Sequence, residues 1–126
     1  MGHRADLECG GNQDEVRRVR AFVADRLLSW GAEDLADAAG LCTSELATNA
    51  LLHARSPFRL AMMMEPPELL VTLHDGSPAP PKLTQAPDDA TYGRGLRLVQ
   101  AMAADWGWQP TNAGKAVWFR LKQQRT

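Results

Sequence analysis

Glu45 and Asn49 lie four residues apart in an apolar run, a carboxylate and an amide one helical turn from each other. Ala38, Leu41, Cys42, Glu45, Thr48, Asn49 and Leu52 share one stripe by three- and four-residue spacing, with Thr48 the only other polar group on it. Burying an amide without partners costs about 1–3 kcal/mol, and a charge costs more. The pair therefore either faces a cleft or ligand, or is satisfied by backbone and water at the edge of the core. Asp75, followed by Gly76, ends an alternating apolar segment. Its carboxylate can accept hydrogen bonds from a ligand amine, or it can serve as an Asx-turn residue. Gly93-Arg94-Gly95 precedes a further apolar-periodic segment. Glycines let backbone approach an anion, and a helix start supplies unpaired N–H groups, which is phosphate-binding chemistry. Loop flexibility explains the same glycines, and Arg94 either contacts the anion or is solvated.

Positioning these groups requires the elements around them. Val16, Val19, Phe22, Val23, Leu27 and Trp30 recur at helical spacing, which predicts an amphipathic helix over 14–30 closed by Gly31. Residues 34–54 form a second helix, apolar around much of its circumference and therefore buried on more than one side. Pro57 ends it, and residues 58–65 and 68–75 read as two strands around Pro66-Pro67. Residues 76–92 hold four prolines and few apolar residues, the composition of a lid or a structureless loop. A third helix follows over 95–104, then a strand pair over 105–111 and 115–121, with Gly114 as a left-handed turn residue. The order α-α-β-β-loop-α-β-β predicts an α+β fold, a two-layer α/β sandwich whose mixed or antiparallel sheet carries its helices on one face. Residues 1–12, polar and glycine-containing, read as a flexible tail, with the domain running over 13–123.

The chain has 126 residues, enough for one domain with a single core. Its net charge is −1, which offers no basic field for nucleic acid and no polybasic patch for membrane. A bound anion must be held by local groups. Arg outnumbers Lys eleven to three and Ala is abundant, a composition common in GC-rich bacterial genomes. Cys9 and Cys42 stand in different settings without metal-ligand spacing, so neither a disulfide nor a zinc site is expected. Without a signal-like or membrane-spanning segment, the expected compartment is cytoplasmic.

Taken in order, Ser44-Glu45-Leu46-Ala47-Thr48-Asn49-Ala50-Leu51-Leu52-His53-Ala54, Asp75-Gly76, Gly93-Arg94-Gly95-Leu96 and Gly114-Lys115-Ala116-Val117-Trp118-Phe119 resemble one family. It is that of the anti-sigma-factor serine kinases, which share the Bergerat ATP-binding fold with gyrase, heat-shock chaperone ATPases and sensor histidine kinases. The resemblance covers roughly residues 14–122, and the helix motif is its most specific part. It implies a Bergerat-type sandwich that binds ATP and Mg²⁺ and transfers phosphate to a serine or threonine of a small antagonist protein. It also implies a sigma factor as a second partner, and it allows a homodimer. By that likeness Glu45 is the catalytic base, Asn49 the Mg²⁺ ligand and Asp75, with Gly76 behind it, the acceptor of the adenine amino group. Gly93, Arg94, Gly95 and Leu96 then line the phosphates, with residues 76–92 as the lid. The chain departs from the pattern at Ser77, where the family places a glycine, and at Ala116, where the last strand often carries a threonine.

The chemistry fits this assignment, because phosphoryl transfer needs positioning, charge neutralisation and a carboxylate base in reach of the hydroxyl. Ser77 and Ala116 favour a different reading, a nucleotide-binding interaction module with little or no transfer. The catalytic part of a histidine kinase is a third, but the chain has no room for a helical hairpin presenting a histidine. His53 either approaches the phosphates or caps helix carbonyls at the rim. Met62-Met63-Met64 reads as half-buried strand, and Trp106, Trp108 and Trp118 as core or sheet-face residues.

Overall fold

A computed structural model describes residues 2–54, 56–81 and 95–124, with backbone only for residues 53, 54 and 95–98. The elements are β1 (His3–Cys9), α1 (Asp14–Ser29), a 3₁₀ turn (Glu33–Leu35), α2 (Ala36–Asn49), a π-helical segment (Ala50–Ala54), β2 (Phe58–Glu65), β3 (Glu68–Asp75), α3 (Gly95–Met102), β4 (Asp105–Pro110) and β5 (Lys115–Lys122). The five strands form one antiparallel sheet in the order β1-β2-β3-β5-β4. The fold is α+β, with the sheet antiparallel throughout.

Period-two burial divides the sheet into two faces. Leu60, Met62, Met64, Leu69, Val71, Leu73, Phe119 and Leu121 point to the helix layer and are almost fully buried. They meet Val19, Val23 and Leu27 of α1 and Ala39, Cys42, Leu46 and Ala47 of α2 in one core. Burying each large aliphatic or aromatic side chain there contributes roughly 1.5–3 kcal/mol. The opposite face carries ion pairs, among them Arg59–Asp6 at 4.0 Å and Arg120 with both Glu68 and Asp105 at 3.5 Å. The tryptophans divide between the faces. Trp106 packs on the core, while the Trp118 indole lies across Gly107, where an added Cβ would come within 2.7 Å of the ring.

Helix α1 ends as its sequence predicts. Gly31 adopts φ 72°, and Ala32 N–H donates to the Leu27 carbonyl at 2.8 Å while Gly31 N–H donates to that of Leu28 at 3.2 Å. This is a Schellman closure, which favours glycine because a Cβ strains the left-handed region.

Two expectations need correction. Residues 3–9 are not a loose tail but an edge strand, paired with β2 from His3↔Met64 to Cys9↔Phe58. Ala5 and Leu7 turn inward and are half-buried, and Cys9 is buried. The small size of Ala and Cys hides that alternation in a sequence dominated by charges. His3 also stacks on Trp30 at the end of α1, centroids 5.4 Å apart. Gly114, in turn, is not among the described glycines with positive φ. Its Cβ would collide with the Asp75 carbonyl oxygen and come within 2.6 Å of the Gly76 carbonyl carbon, so the requirement is close approach of two backbones rather than a turn conformation.

Candidate functional site

The geometry of α2 follows from its small residues. An added Cβ at Gly40 would rest in ordinary contact, at 3.5 Å, with the exposed Arg20 side chain of α1, so this side of α2 faces α1. Ser44 lies on that same side and donates its hydroxyl to the Gly40 carbonyl at 2.7 Å. Ala39, Cys42, Thr43, Leu46 and Ala47 are buried, whereas Leu41, Glu45, Thr48 and Asn49 are half-buried and Leu52 is exposed. Helical spacing therefore leaves Glu45 and Asn49 together on the flank facing away from α1. Cys42 belongs to the core rather than to the open part of this stripe. Burial, and then the charge of Glu45, pushes its thiol up to about 11. Cys9 is likewise buried and pushed up to about 12, and neither cysteine is in a disulfide.

Burial raises the Glu45 carboxyl above its ordinary value near 4.5. A half-desolvated carboxylate on an open helix flank is a stronger proton acceptor than one in water. The shift also has a consequence for stability. The folded state disfavours the ionised form, so the penalty is absent below the unfolded value, sets in as pH rises through the interval to the folded value, and persists above it. Glu45→Gln is therefore expected to melt at a higher temperature than the wild type near neutral pH. The difference should vanish well below pH 4.5, which thermal melts followed by circular dichroism across pH would reveal.

After Asn49 the backbone widens into the π-helical segment Ala50–Ala54, a geometry found mostly as short insertions at functional sites. His53 lies in it, and its side chain is outside the described residues. Helix α3 packs against α2 and begins at Gly95, so Gly95 and Leu96 form its first turn. Gly93, Arg94 and residues 82–92, expected from the resemblance to belong to a lid, also lie outside the described residues.

Asp75 is the last residue of β3 and shares the inward face of Leu69, Val71 and Leu73. It is only 6% exposed. Its Oδ1 accepts the Ser77 N–H at 2.9 Å, an Asx turn, so the turn chemistry anticipated for Asp-Gly is present. The carboxylate has a further partner that sequence reading missed. Lys115 Nζ lies 3.1 Å from Oδ1 and 3.0 Å from Oδ2, with side chains 3% and 2% exposed respectively. Register explains the pair, because β3 and β5 place Asp75 opposite Lys115. Ala116, the position where the family's last strand often carries a threonine, pairs with His74 and turns to the other face of the sheet. Gly76 N–H donates to Ser56 Oγ at 3.0 Å, and Gly114 presses on the Asp75–Gly76 backbone. A cleft of about 580 Å³ opens at this end of the sheet, lined in part by Phe58, His74, Asp75, Gly76 and Asn112.

The structure thus places a helix layer on one face of an antiparallel sheet, a Glu/Asn pair on α2 and an acidic residue at the end of an inner strand. A family model described as the histidine kinase-like ATPase domain matches residues 11–121, and the chain belongs to that family. Among solved structures it is similar to that of the RsbU and RsbW domains of Rv1364c from Mycobacterium tuberculosis, with a TM-score of 0.76 at 15% identity. The alignment covers 98% of this chain and 33% of that one, so the likeness is one of fold, and this chain spans about a third of its neighbour. No curated protein matches the sequence. Among the described residues no helix is long and apolar enough to cross a membrane.

Proposed function

We propose that this domain binds ATP with Mg²⁺ and acts as a regulatory serine/threonine protein kinase of the anti-sigma-factor type. The observation that carries this reading is the Glu45/Asn49 pair, one turn apart on the open flank of α2, with the Glu45 carboxyl raised by its surroundings. Glu45 takes the proton from the attacking hydroxyl of the substrate protein, which a half-buried carboxylate does better than a solvated one. The Asn49 side-chain oxygen suits Mg²⁺, a hard cation usually held by one or two protein oxygens together with substrate phosphates. When bound, the ion neutralises charge on the transferring phosphoryl group. Asp75 accepts from the base amino group, with Gly76 keeping the backbone behind it compact. The first turn of α3, with Gly93, Arg94, Gly95 and Leu96, supplies N–H donors and positive charge to the phosphates.

The partners in this reading are a small antagonist protein bearing the acceptor serine or threonine and a sigma factor, both drawn from the family resemblance. The near-neutral net charge supports protein partners over nucleic acid. A cytoplasmic setting and a homodimer belong to the same proposal. A second reading, a nucleotide-responsive interaction module without transfer, is favoured by Ser77 and Ala116, which stand where the family pattern places a glycine and a threonine.

Calorimetric titration of ATP–Mg²⁺ into the wild type and Asn49→Ala tests the shared part. The wild type should bind, and the variant should lose most of its affinity while keeping its far-UV spectrum. Transfer of labelled γ-phosphate to a serine of a cognate antagonist then separates the two readings. A wild type that binds ATP and never transfers supports the module, and a folded wild type that binds no nucleotide sinks both.

A further inference from the structure

The sheet face turned away from the helices takes no part in the site described above. Register lays its outward side chains in rows across the strands. One row runs Asp6, Ala61, Thr72, Trp118 and Gly107 from β1 to β4, and the next begins at Arg4 and ends at Asp105. The short side chains of Ala61, Thr72 and Ala116 line a groove of about 440 Å³. Ala116 is only 3% exposed yet stands outside the main core, so it belongs to the floor of this groove. Beside the hollow the Trp118 indole lies across Gly107, with the Arg120 guanidinium 5.6 Å from the ring. Met63, Leu70 and Trp118 are half-buried, so apolar surface on this face remains open to water.

Charge decides what kind of partner fits. Arg4, Arg59 and Arg120 share the face with Asp6, Glu68 and Asp105, so neither sign dominates. A nucleic acid or a uniformly charged protein finds no complement there. An isologous contact does, because it needs both signs within one patch. The geometry points to a second copy of this chain as the occupant, the two sheets packing face to face about a two-fold axis along β3. Sheets packed in this way keep their strands aligned to within about 30°. About that axis β2 lies over β5 of the other copy, and β1 lies over β4. Trp118 then rests on Ala61, bulk against hollow, and Arg4 faces Asp105. An axis across the strands would instead stack Trp118 on Trp118 and set Asp6 against Asp6, with a void between the two Ala61 side chains; a packed interface core avoids such mismatches. Five strands of this length present a face of about 20 by 25 Å. Two such faces cover about 1,000 Å², the lower bound for a specific interface and suited to a concentration-dependent dimer. The inference gives a face to the homodimer of the proposed function and rests on that part of it alone, since no nucleotide is needed.

Sedimentation equilibrium of the full chain without nucleotide, over a concentration series, tests this. The wild type should show a reversible monomer–dimer equilibrium. Ala61→Arg fills the hollow with a charged side chain opposite Asp6 of its own sheet, and should weaken association at least about 10-fold. Leu28→Arg, at an exposed position of α1 on the other side of the molecule, should leave association unchanged. Charge exchange reads the orientation. Arg4→Asp and Asp105→Arg should each weaken the dimer, and the double variant should recover it, because opposite signs face each other again. Far-UV spectra identify any variant that fails to fold, and the recovery in the double variant then decides. A wild type that stays monomeric throughout overturns the inference and leaves ATP binding to be judged by its own titration. A dimer indifferent to Ala61→Arg overturns the face, and one that the charge exchange does not restore overturns the axis.

Discussion

Glu45→Gln is expected to bind ATP–Mg²⁺ with nearly wild-type affinity and to lose phosphoryl transfer by a factor of about 10²–10⁴, the usual contribution of a positioned general base. The substitution keeps the shape of the side chain and its place on the half-open flank of α2, so the nucleotide loses little. What disappears is a carboxylate able to take the hydroxyl proton. The raised Glu45 carboxyl adds a second, independent signature. Transfer by the wild type should fall as the solution is acidified through that raised value, above the pH at which an ordinary glutamate titrates. The residual rate of Glu45→Gln should lack that step. Single-turnover transfer across pH measures both. A Glu45→Gln protein that transfers phosphate at the wild-type rate removes Glu45 from the mechanism.

The second large effect is on stability. Asp75→Ala leaves the Lys115 ammonium, only 3% exposed, without its counter-charge. Breaking a buried pair from one side typically costs about 3–5 kcal/mol, a large fraction of the stability of a domain this size. Urea denaturation should show that loss. A paired replacement, Asp75→Leu with Lys115→Met, should recover most of it, because no unpaired charge is then buried. If Asp75→Ala is as stable as the wild type, the ion pair is solvated in solution and the buried geometry is wrong. The result also bears on function, since lost nucleotide binding in Asp75→Ala reflects a missing base contact only if the variant remains folded. Asn49→Ala, on the open side of α2, is the cleaner probe of the pocket.

Much of the fold was legible because local signals agreed. The β2–β3 hairpin falls at the residues its alternation and prolines predict, and α1 ends at Gly31, whose φ of 72° only glycine adopts at little strain. The second helix was predicted as continuous over 34–54, whereas it divides into 3₁₀, α and π segments. Hydrophobic periodicity cannot detect such changes of hydrogen-bond pitch. Strand β1 was missed because four of its seven residues, His3, Arg4, Asp6 and Glu8, are polar, and Ala5 and Cys9 are too small to announce a buried face.

The candidate site divides along the same line. The sequence by itself determined the Glu45/Asn49 spacing, since a four-residue interval on a helix fixes two side chains to one flank whatever surrounds it. It also determined that Asp75 closes a strand on its inward face, because alternation carries the identity of that face from Leu69 to the strand end. Only the tertiary structure decided what stands opposite Asp75. The partner comes from β5, a strand adjacent in the sheet but forty residues further along the chain. A shift of one residue in that register would have put Ala116 there and turned Lys115 to the other face. Strand pairing across so long a connection is set by packing of the whole core, and no local pattern of residues encodes it.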